Sequence, residues 1–279
     1  MPPAPVPTDL PADRTDAGIA LPPLDALVDL ARRAGEAIMA LYGPGVERWT
    51  KADESPVTAA DLAAHEVLTR GLAALTPDLP VISEEAVTEA ELAAGAPAAA
   101  FWLVDPLDGT REFLSRNGEF TVNAALVVDG RPIAGVVGVP ATGRIYAGCP
   151  DGAVVVEADG SRRPIRVRPV PADGPVALIS RSHLDPRTRD WLAAHEVERS
   201  RQAGSSLKLC LIAEGEADLY PRLGRTMEWD IAAGHAVLLA AGGHVDTLAG
   251  PPLTYGKPGL DNPHFLARGP WTTGEAADA

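Results

Sequence analysis

The stretch FWLVDPLDGTREF, Phe101 to Phe113, constrains this chain more than any other. Phe101 to Val104 read as a buried strand, and the run then meets Asp105 and, three positions on, Asp108. A buried carboxylate without a partner is costly. Two of them at a strand end therefore call for a polar turn or for a cation. Asp108-Gly109 taken alone is a turn signal, so the remainder of the chain has to discriminate.

Three further acidic stretches bear on the choice. LPVISEE is a short strand that stops at Glu84-Glu85, and EWDIAAGHAVLLAAGG is a helix opening at Trp229-Asp230 and closed by Gly242-Gly243. Thr58-x-x-Asp61 resembles a capping box with Asp in place of Glu. Each has a bland alternative: Glu84-Glu85 as a solvated pair, Asp230 as a helix N-cap, Asp61 as a cap. Together they place Glu84, Asp105, Asp108 and Asp230 at strand or helix ends, which face a common crevice in layered folds. Carboxylates gathered there repel one another unless a cation lies between them. Oxygen ligands without His or Cys favour Mg2+ over zinc.

The wider pattern mixes helices and strands. Leu24, Leu27, Val28, Ala31, Ala34, Ile38 and Leu41 recur at helical spacing between Pro22-Pro23 and Gly43-Pro44-Gly45. A second helix runs from Thr58 to about Leu75, with Leu62, His65, Leu68, Leu72 and Leu75 expected on its buried side. TVNAALVVDGRPIAGVVGVP is a hairpin around Asp129-Gly130. The later segments PVALISRSH, DPRTRDWLAAH and GSSLKLCLIAEGEADLY alternate strand and helix. This pattern predicts a layered α+β or α/β architecture.

The net charge of −14 argues against nucleic-acid binding through a basic face. It also means that a phosphate-handling site needs local positive charge, which divalent cations supply. No apolar run reaches the roughly 18 residues of a spanning helix. Residues 1–22, rich in Pro, Ala and Asp, lack the pattern of a secretory signal and read as a disordered tail. Cys149 and Cys210, the two cysteines, form no C-x-x-C pair and read as buried thiols of a cytoplasmic chain, with a single disulfide left open.

The D-x-D-G-T pattern of the haloacid-dehalogenase phosphatases separates its aspartates by one residue. Here Pro106 and Leu107 both intervene, which redirects the second carboxylate, and that covalent mechanism is set aside. SPVTAAD (55–61), ISEE (82–85), WLVDPLDGT (102–110) and WDIAAGHAVLLAAGG (229–243) together resemble the magnesium-dependent, lithium-sensitive phosphatases of the inositol monophosphatase superfamily, over about Leu24 to Leu266. REFLSRNGEFTVNAALV, SRSH, GSSLKLCLIAEGEADLYPRLG and EWDIAAGHAV carry a narrower resemblance, to the CysQ-type 3'(2'),5'-bisphosphate nucleotidases.

The resemblance implies an α/β/α/β/α sandwich over residues 23–268, with an N-terminal α+β half to about residue 160, a C-terminal α/β half from about 161, and a flexible tail at 269–279. It implies hydrolysis of 3'-phosphoadenosine 5'-phosphate to AMP and phosphate, linked to sulfate assimilation. Inositol monophosphatase or a related sugar phosphatase is the alternative, and a non-catalytic nucleotide sensor on the same fold is a further class. Carried over position by position, the metal ligands are Glu84, Asp105, the Leu107 carbonyl, Asp108 and Asp230, holding two Mg2+ ions with a third left open. Asp61 and Thr110 fall on the water-activating pair, with Glu84 beside them. Glu84, Leu107, Asp108, Gly109, Thr110, Gly204, Ser205, Ser206 and Asp230 face the substrate, and Lys208 and Arg222 are candidates for its second phosphate. Each of those two basic residues has a surface salt bridge as its plain alternative. A small phosphorylated nucleotide is the expected partner, without nucleic acid or stable membrane insertion. Homodimerisation and peripheral inner-membrane association stay open.

Overall fold

The computed structural model describes residues 19–43, 45–50, 56–181 and 185–272. The Pro-rich start up to residue 18, the tail from 273, Ser55 and the Ser182-His183 pair of SRSH lie outside the described residues.

In chain order the elements are α1 (Leu24–Ala40), β1 (Arg48–Thr50), β2 (Pro56–Thr58), α2 (Ala59–Leu75), β3 (Val81–Ser83), α3 (Glu89–Ala94), β4 (Ala100–Asp108), α4 (Thr110–Ser115), β5 (Thr121–Val128), β6 (Arg131–Val139), β7 (Arg144–Cys149), β8 (Gly152–Val156) and β9 (Arg162–Ile165). There follow β10 (Val176–Ser180), α5 (Pro186–Ala194), β11 (Arg199–Ala203), α6 (Leu207–Ala213), β12 (Leu219–Arg222), a 3-10 turn (Glu228–Asp230), α7 (Ala232–Ala240), β13 (His244–Thr247) and β14 (Phe265–Arg268).

Strands β3 to β9 form one sheet in sequence order, and a second sheet runs β11-β10-β12-β14-β13. Helices α1 and α2 cover one face of the first sheet, and α7 packs on the other. The apolar cluster on that second face joins α6 and α7 to both sheets. Leu192 and Trp191 of α5 pack beyond, against Ala177 and Leu219 of the second sheet. The order of layers is therefore helix, sheet, helix, sheet, helix.

This layering accounts for the uniformly apolar FWLV run. Successive strand side chains point to opposite faces, and both faces of β4 are covered. Phe101 and Leu103 pack toward α6 and α7, while Trp102 and Val104 pack toward α1 and α2. Trp102 is wholly enclosed, and its indole N–H donates to Thr76 Oγ1 at 2.9 Å. Gly135 and Gly148 let α7 lie close to the sheet: an added Cβ would stand 2.7 Å from the Ala233 carbonyl oxygen and 2.7 Å from Val237 Cα respectively. The hairpin at Asp129-Gly130 has positive φ at both residues, 48° and 74°, as its type I' turn requires.

Several expectations need correction. Leu62 and Leu75 are 45% and 37% exposed, and the buried stripe of α2 is Ala60, Asp61, Ala64, Leu68 and Leu72. The stripe differs from the leucine pattern because the small residues Ala60 and Ala64 join Leu68 and Leu72 in the cluster that α1 and α2 form with the sheet. The helix near Asp230 opens at Ala232, and the 3-10 turn precedes it. Strand β4 does not stop at Asp105 but continues to Asp108. Cys149 is only half-buried, Cys210 is buried, and both thiols are free. No helix among the described residues is long and apolar enough to cross a membrane.

Candidate active site

The two aspartates of β4 have an apparent difficulty of parity. In a regular strand, residues three apart face opposite sides. Asp105 pairs with Asn123 on β5 and Asp108 pairs with Thr121. Three steps on β4 thus oppose two on β5, which is a β-bulge. Because Asn123 and Thr121 share a face, so do Asp105 and Asp108. Pro106 supplies no N–H to the ladder, which suits it to this interruption. The Leu107 N–H turns back to Asp105 Oδ1 at 3.1 Å.

Other elements converge on the same point. The Glu84 N–H extends the parallel β3–β4 ladder by donating to the Val104 carbonyl at 3.1 Å, which sets Glu84 beside Asp105. His65 Nδ1 and Ser83 Oγ are 2.8 Å apart, which ties α2 to the end of β3. Asp230 ends the 3-10 turn, and its Oδ2 accepts the Met227 N–H at 2.9 Å. It therefore caps that turn and not α7. Carboxylate oxygens of Glu84, Asp105 and Asp230 all lie within 4.8 Å of one another.

Ser206 is the hub between the halves. Its N–H donates to Asp108 Oδ2 at 2.7 Å, its hydroxyl donates to the Asp230 carbonyl, and it accepts from Asn123 Nδ2 at 3.1 Å. Ser205, at φ 48°, lies on hydrogen-bonding terms with the carbonyls of Asp108 (2.8 Å) and Glu119 (2.9 Å). Gly109 has φ 92°, and a Cβ there would stand 2.3 Å from Ser205 Oγ. Thr110, directly behind it, opens α4.

The capping box at Thr58 and Asp61 is present. Asp61 Oδ2 accepts from both the N–H (2.7 Å) and the hydroxyl (2.6 Å) of Thr58. Its other oxygen, Oδ1, accepts the Thr110 hydroxyl at 3.3 Å, and the Leu107 carbonyl stands 3.5 Å from the same hydroxyl. One carboxylate thus serves the helix and the cavity at once.

These groups surround a cavity of about 370 Å³. Of the expected residues, Glu84, Asp108, Gly109, Thr110, Ser205, Lys208, Arg222 and Asp230 line it. Asp61, Asp105 and Leu107 are buried behind the wall, as is Ser206. The expectation that Gly204, Ser205 and Ser206 all face the substrate therefore narrows to Ser205, since the Ser206 N–H is already engaged by Asp108. Lys208 is not a surface residue: it is buried, with Nζ donating to the Ser205 carbonyl at 2.7 Å and lying 5.1 Å from the centre of the Tyr220 ring. Arg222 Nη2 donates to the Arg225 carbonyl at 3.0 Å. Arg111, Glu112, Ser180, Tyr220, Arg225 and Thr226 also line the cavity. Nothing local in the sequence marks them, although Tyr220 and Arg225 flank Arg222 within three positions.

The electrostatics fit a cation. Burial, and then the charges of Glu84, Asp108 and Asp230, push the Asp105 carboxyl well above the ordinary range. Burial and the charges of Asp108 and Glu84 do the same to Asp230. Asp108 is pushed up to about 6 by burial, with the Lys208 ammonium and the Ser206 N–H opposing. Burial lowers Lys208 to about 8 against the pull of Asp108. An all-oxygen cluster with this much mutual repulsion suits a hard divalent ion.

The sequence model of the inositol monophosphatase family matches residues 22–275. The chain is 50% identical over 234 residues, 83% of its own length, to the 3'(2'),5'-bisphosphate nucleotidase CysQ of Escherichia coli K12, of which 93% is covered. The crystal structure of CysQ from Bacteroides thetaiotaomicron, a bacterial member of the inositol monophosphatase family, superposes with a TM-score of 0.75 at 37% identity, covering 89% of this chain and 97% of that one. An inositol monophosphatase from Anabaena superposes with a TM-score of 0.66 at 25% identity, covering 88% of this chain and 89% of that one.

Proposed function

The chain belongs to the inositol monophosphatase family, and on that premise we propose that it is a Mg2+-dependent phosphatase that hydrolyses the 3'-phosphate of 3'-phosphoadenosine 5'-phosphate to AMP and phosphate. The observation that carries this reading is one cavity lined by Glu84, Asp108, Asp230 and Thr110, with the Asp105 carboxylate buried within 4.8 Å of those of Glu84 and Asp230 and the Thr110 hydroxyl bonded to Asp61. The likeness to CysQ supports the nucleotide over an inositol phosphate.

Glu84, Asp105, the Leu107 carbonyl, Asp108 and Asp230 would hold two Mg2+ ions. When bound, Mg2+ supplies Lewis acidity at phosphoryl oxygen and neutralises the charge that builds on the attacking and leaving groups. The Thr110 hydroxyl gives its hydrogen to Asp61 Oδ1, so its lone pairs are left to accept a hydrogen bond from the attacking water. Asp61 is the base at the end of that relay, and Thr58 holds its second oxygen so that Oδ1 stays aimed at Thr110. Lys208, bound to the Ser205 carbonyl, steadies the wall of the cavity, and Arg222 faces the second phosphate. Such a substrate arises wherever an activated sulfate has been transferred from its nucleotide carrier, which is the link to sulfate assimilation.

The test is phosphate release, with and without Mg2+, from 3'-phosphoadenosine 5'-phosphate, from inositol 1-phosphate and from a sugar phosphate. Preference for the nucleotide is the expected result. Equal or reversed preference would assign the chain to the inositol or sugar phosphatases instead.

A further inference from the structure

Two stretches of the chain, NGEF (117–120) and the start of SRSH (Ser180-Arg181), take no part in the chemistry above, yet they meet beside the cavity. The Glu119 carboxylate accepts from Arg181 Nε at 2.8 Å and Nη2 at 2.7 Å, a two-point pairing. The Arg181 pairing, and to a lesser degree the nearby Gly204 backbone N–H, hold this carboxyl below its ordinary range. The Glu119 carbonyl in turn stands 2.9 Å from Ser205 Oγ. Gly204 is pressed against this residue: a Cβ there would lie 2.6 Å from the Glu119 carbonyl oxygen and 2.9 Å from Glu119 Cβ.

The topology gives the contact its meaning. Arg181 directly follows β10, and Gly204 directly follows β11. These are parallel neighbours whose last residues, Ser180 and Ala203, are partners in the ladder. Glu119 therefore engages the carboxyl ends of two adjacent parallel strands of the second sheet, one through its carboxylate on Arg181 and the other through its backbone carbonyl beside Ser205 and its packing on Gly204; this is the edge at which such sheets bind ligands. Glu119 itself lies two residues before β5, whose first residue, Thr121, pairs with Asp108. This one residue thus connects the strand that bears the carboxylates to the Ser180 and Ser205 wall opposite, by side chain to Arg181 and by backbone to Ser205.

We propose that Glu119 and Arg181 are a positioning pair that sets the Gly204-Ser205 turn and the end of β10 at the spacing needed to hold the nucleotide, an inference that rests on the reading above. Neither residue lines the cavity, so the pair acts through Ser180 and Ser205. Its side chains are 24% and 41% exposed, so it contributes little to global stability, and its effect falls on affinity.

The experiment uses the full chain with Mg2+ and compares the wild type with Glu119→Gln, Arg181→Ala, Arg181→Lys and the Glu119→Gln/Arg181→Ala double variant. The expected result is a rise in KM for 3'-phosphoadenosine 5'-phosphate of about five- to ten-fold in the first two, with kcat within about three-fold of wild type. Arg181→Lys should recover part of the loss, and the double variant should be no worse than the poorer single one. Melting temperatures should stay within about 4 °C of wild type. An unchanged KM, losses that simply add in the double variant, or a larger fall in melting temperature would each overturn the positioning role. A wild-type protein that releases no phosphate from the nucleotide would overturn the functional reading instead.

Discussion

Thr110 Oγ1 donates to Asp61 Oδ1 at 3.3 Å across 49 positions of chain, while Asp61 Oδ2 is held by Thr58 three residues before it. The same carboxylate is a helix cap and, in our reading, the catalytic base. Asp61→Asn keeps the side-chain volume and removes the acceptor charge. We expect kcat to fall by at least about 100-fold, with KM little changed and a stability loss of about 1 kcal/mol from the weakened cap. Steady-state kinetics and a thermal melt on the same preparation check this, and an active Asn variant would sink the base assignment.

The carboxylate cluster makes stability depend on pH in a way that metal should abolish. Asp105 and Asp230 are raised well above the ordinary range and Asp108 from 3.8 to about 6. The folded state therefore binds these protons more tightly than the unfolded chain, and the slope of unfolding free energy with pH is negative. The contribution is fully present below about pH 3.8 and is lost progressively as pH rises through the folded values. Without metal, the protein should melt at lower temperature at pH 7.5 than at pH 5. Saturating Mg2+ should flatten or reverse that difference, because the ion binds the ionised form. Melting curves with chelator and with Mg2+ at both pH values are the measurement, and identical slopes would remove the case for a cation here.

Arg222 lies on the cavity wall with Nη2 anchored on the Arg225 carbonyl. If it faces the second phosphate, Arg222→Ala should raise KM for the bisphosphate nucleotide by about ten- to 100-fold. It should alter hydrolysis of inositol 1-phosphate, which has no second phosphate, by much less. Parallel assays on the two substrates decide it, and equal losses on both would mean that Arg222 shapes the site as a whole.

Gly109 combines a φ of 92° with no room for a Cβ, which would stand 2.3 Å from Ser205 Oγ. Gly109→Ala should therefore force the chain at Asp108 away from the Ser205-Ser206 turn. We expect a destabilisation of about 1–3 kcal/mol and a fall in both kcat and Mg2+ affinity. Denaturant unfolding and a Mg2+ activation curve would reveal it, and a variant with wild-type Mg2+ activation would show that the turn tolerates the shift.

Local chemistry was legible in the sequence wherever it depends on neighbouring residues. The Asp129-Gly130 hairpin, the Thr58–Asp61 cap and the strand end before Glu84 all follow from turn geometry, reciprocal hydrogen bonding and the length of apolar runs, whereas the apolar run before Asp105 did not show that β4 continues to Asp108. The motif order also pointed to the family and to its layered fold. The leucines of α2 misled because periodicity reports that a face is apolar, not that small residues such as Ala60 and Ala64 share the buried stripe. Leu62 and Leu75 thus remain half in solvent.

What only the tertiary structure decided is how separate stretches combine. The bulge that turns Asp105 and Asp108 to one face depends on which residues of β5 oppose them. The service of Ser206 to Asp108, Asn123 and Asp230, and the grip of Glu119 on Arg181, join residues 24 to 98 positions apart. The burial of Lys208 likewise follows from the elements packed around it. No single stretch of sequence carries such information, because the direction of a side chain is local but its partner is set by the packing of whole layers. The sequence by itself determined which carboxylates stand at or near the ends of apolar elements. The packing of the two sheets about α6 and α7 brought those ends together, where their mutual repulsion is what a cation would relieve in the function we propose.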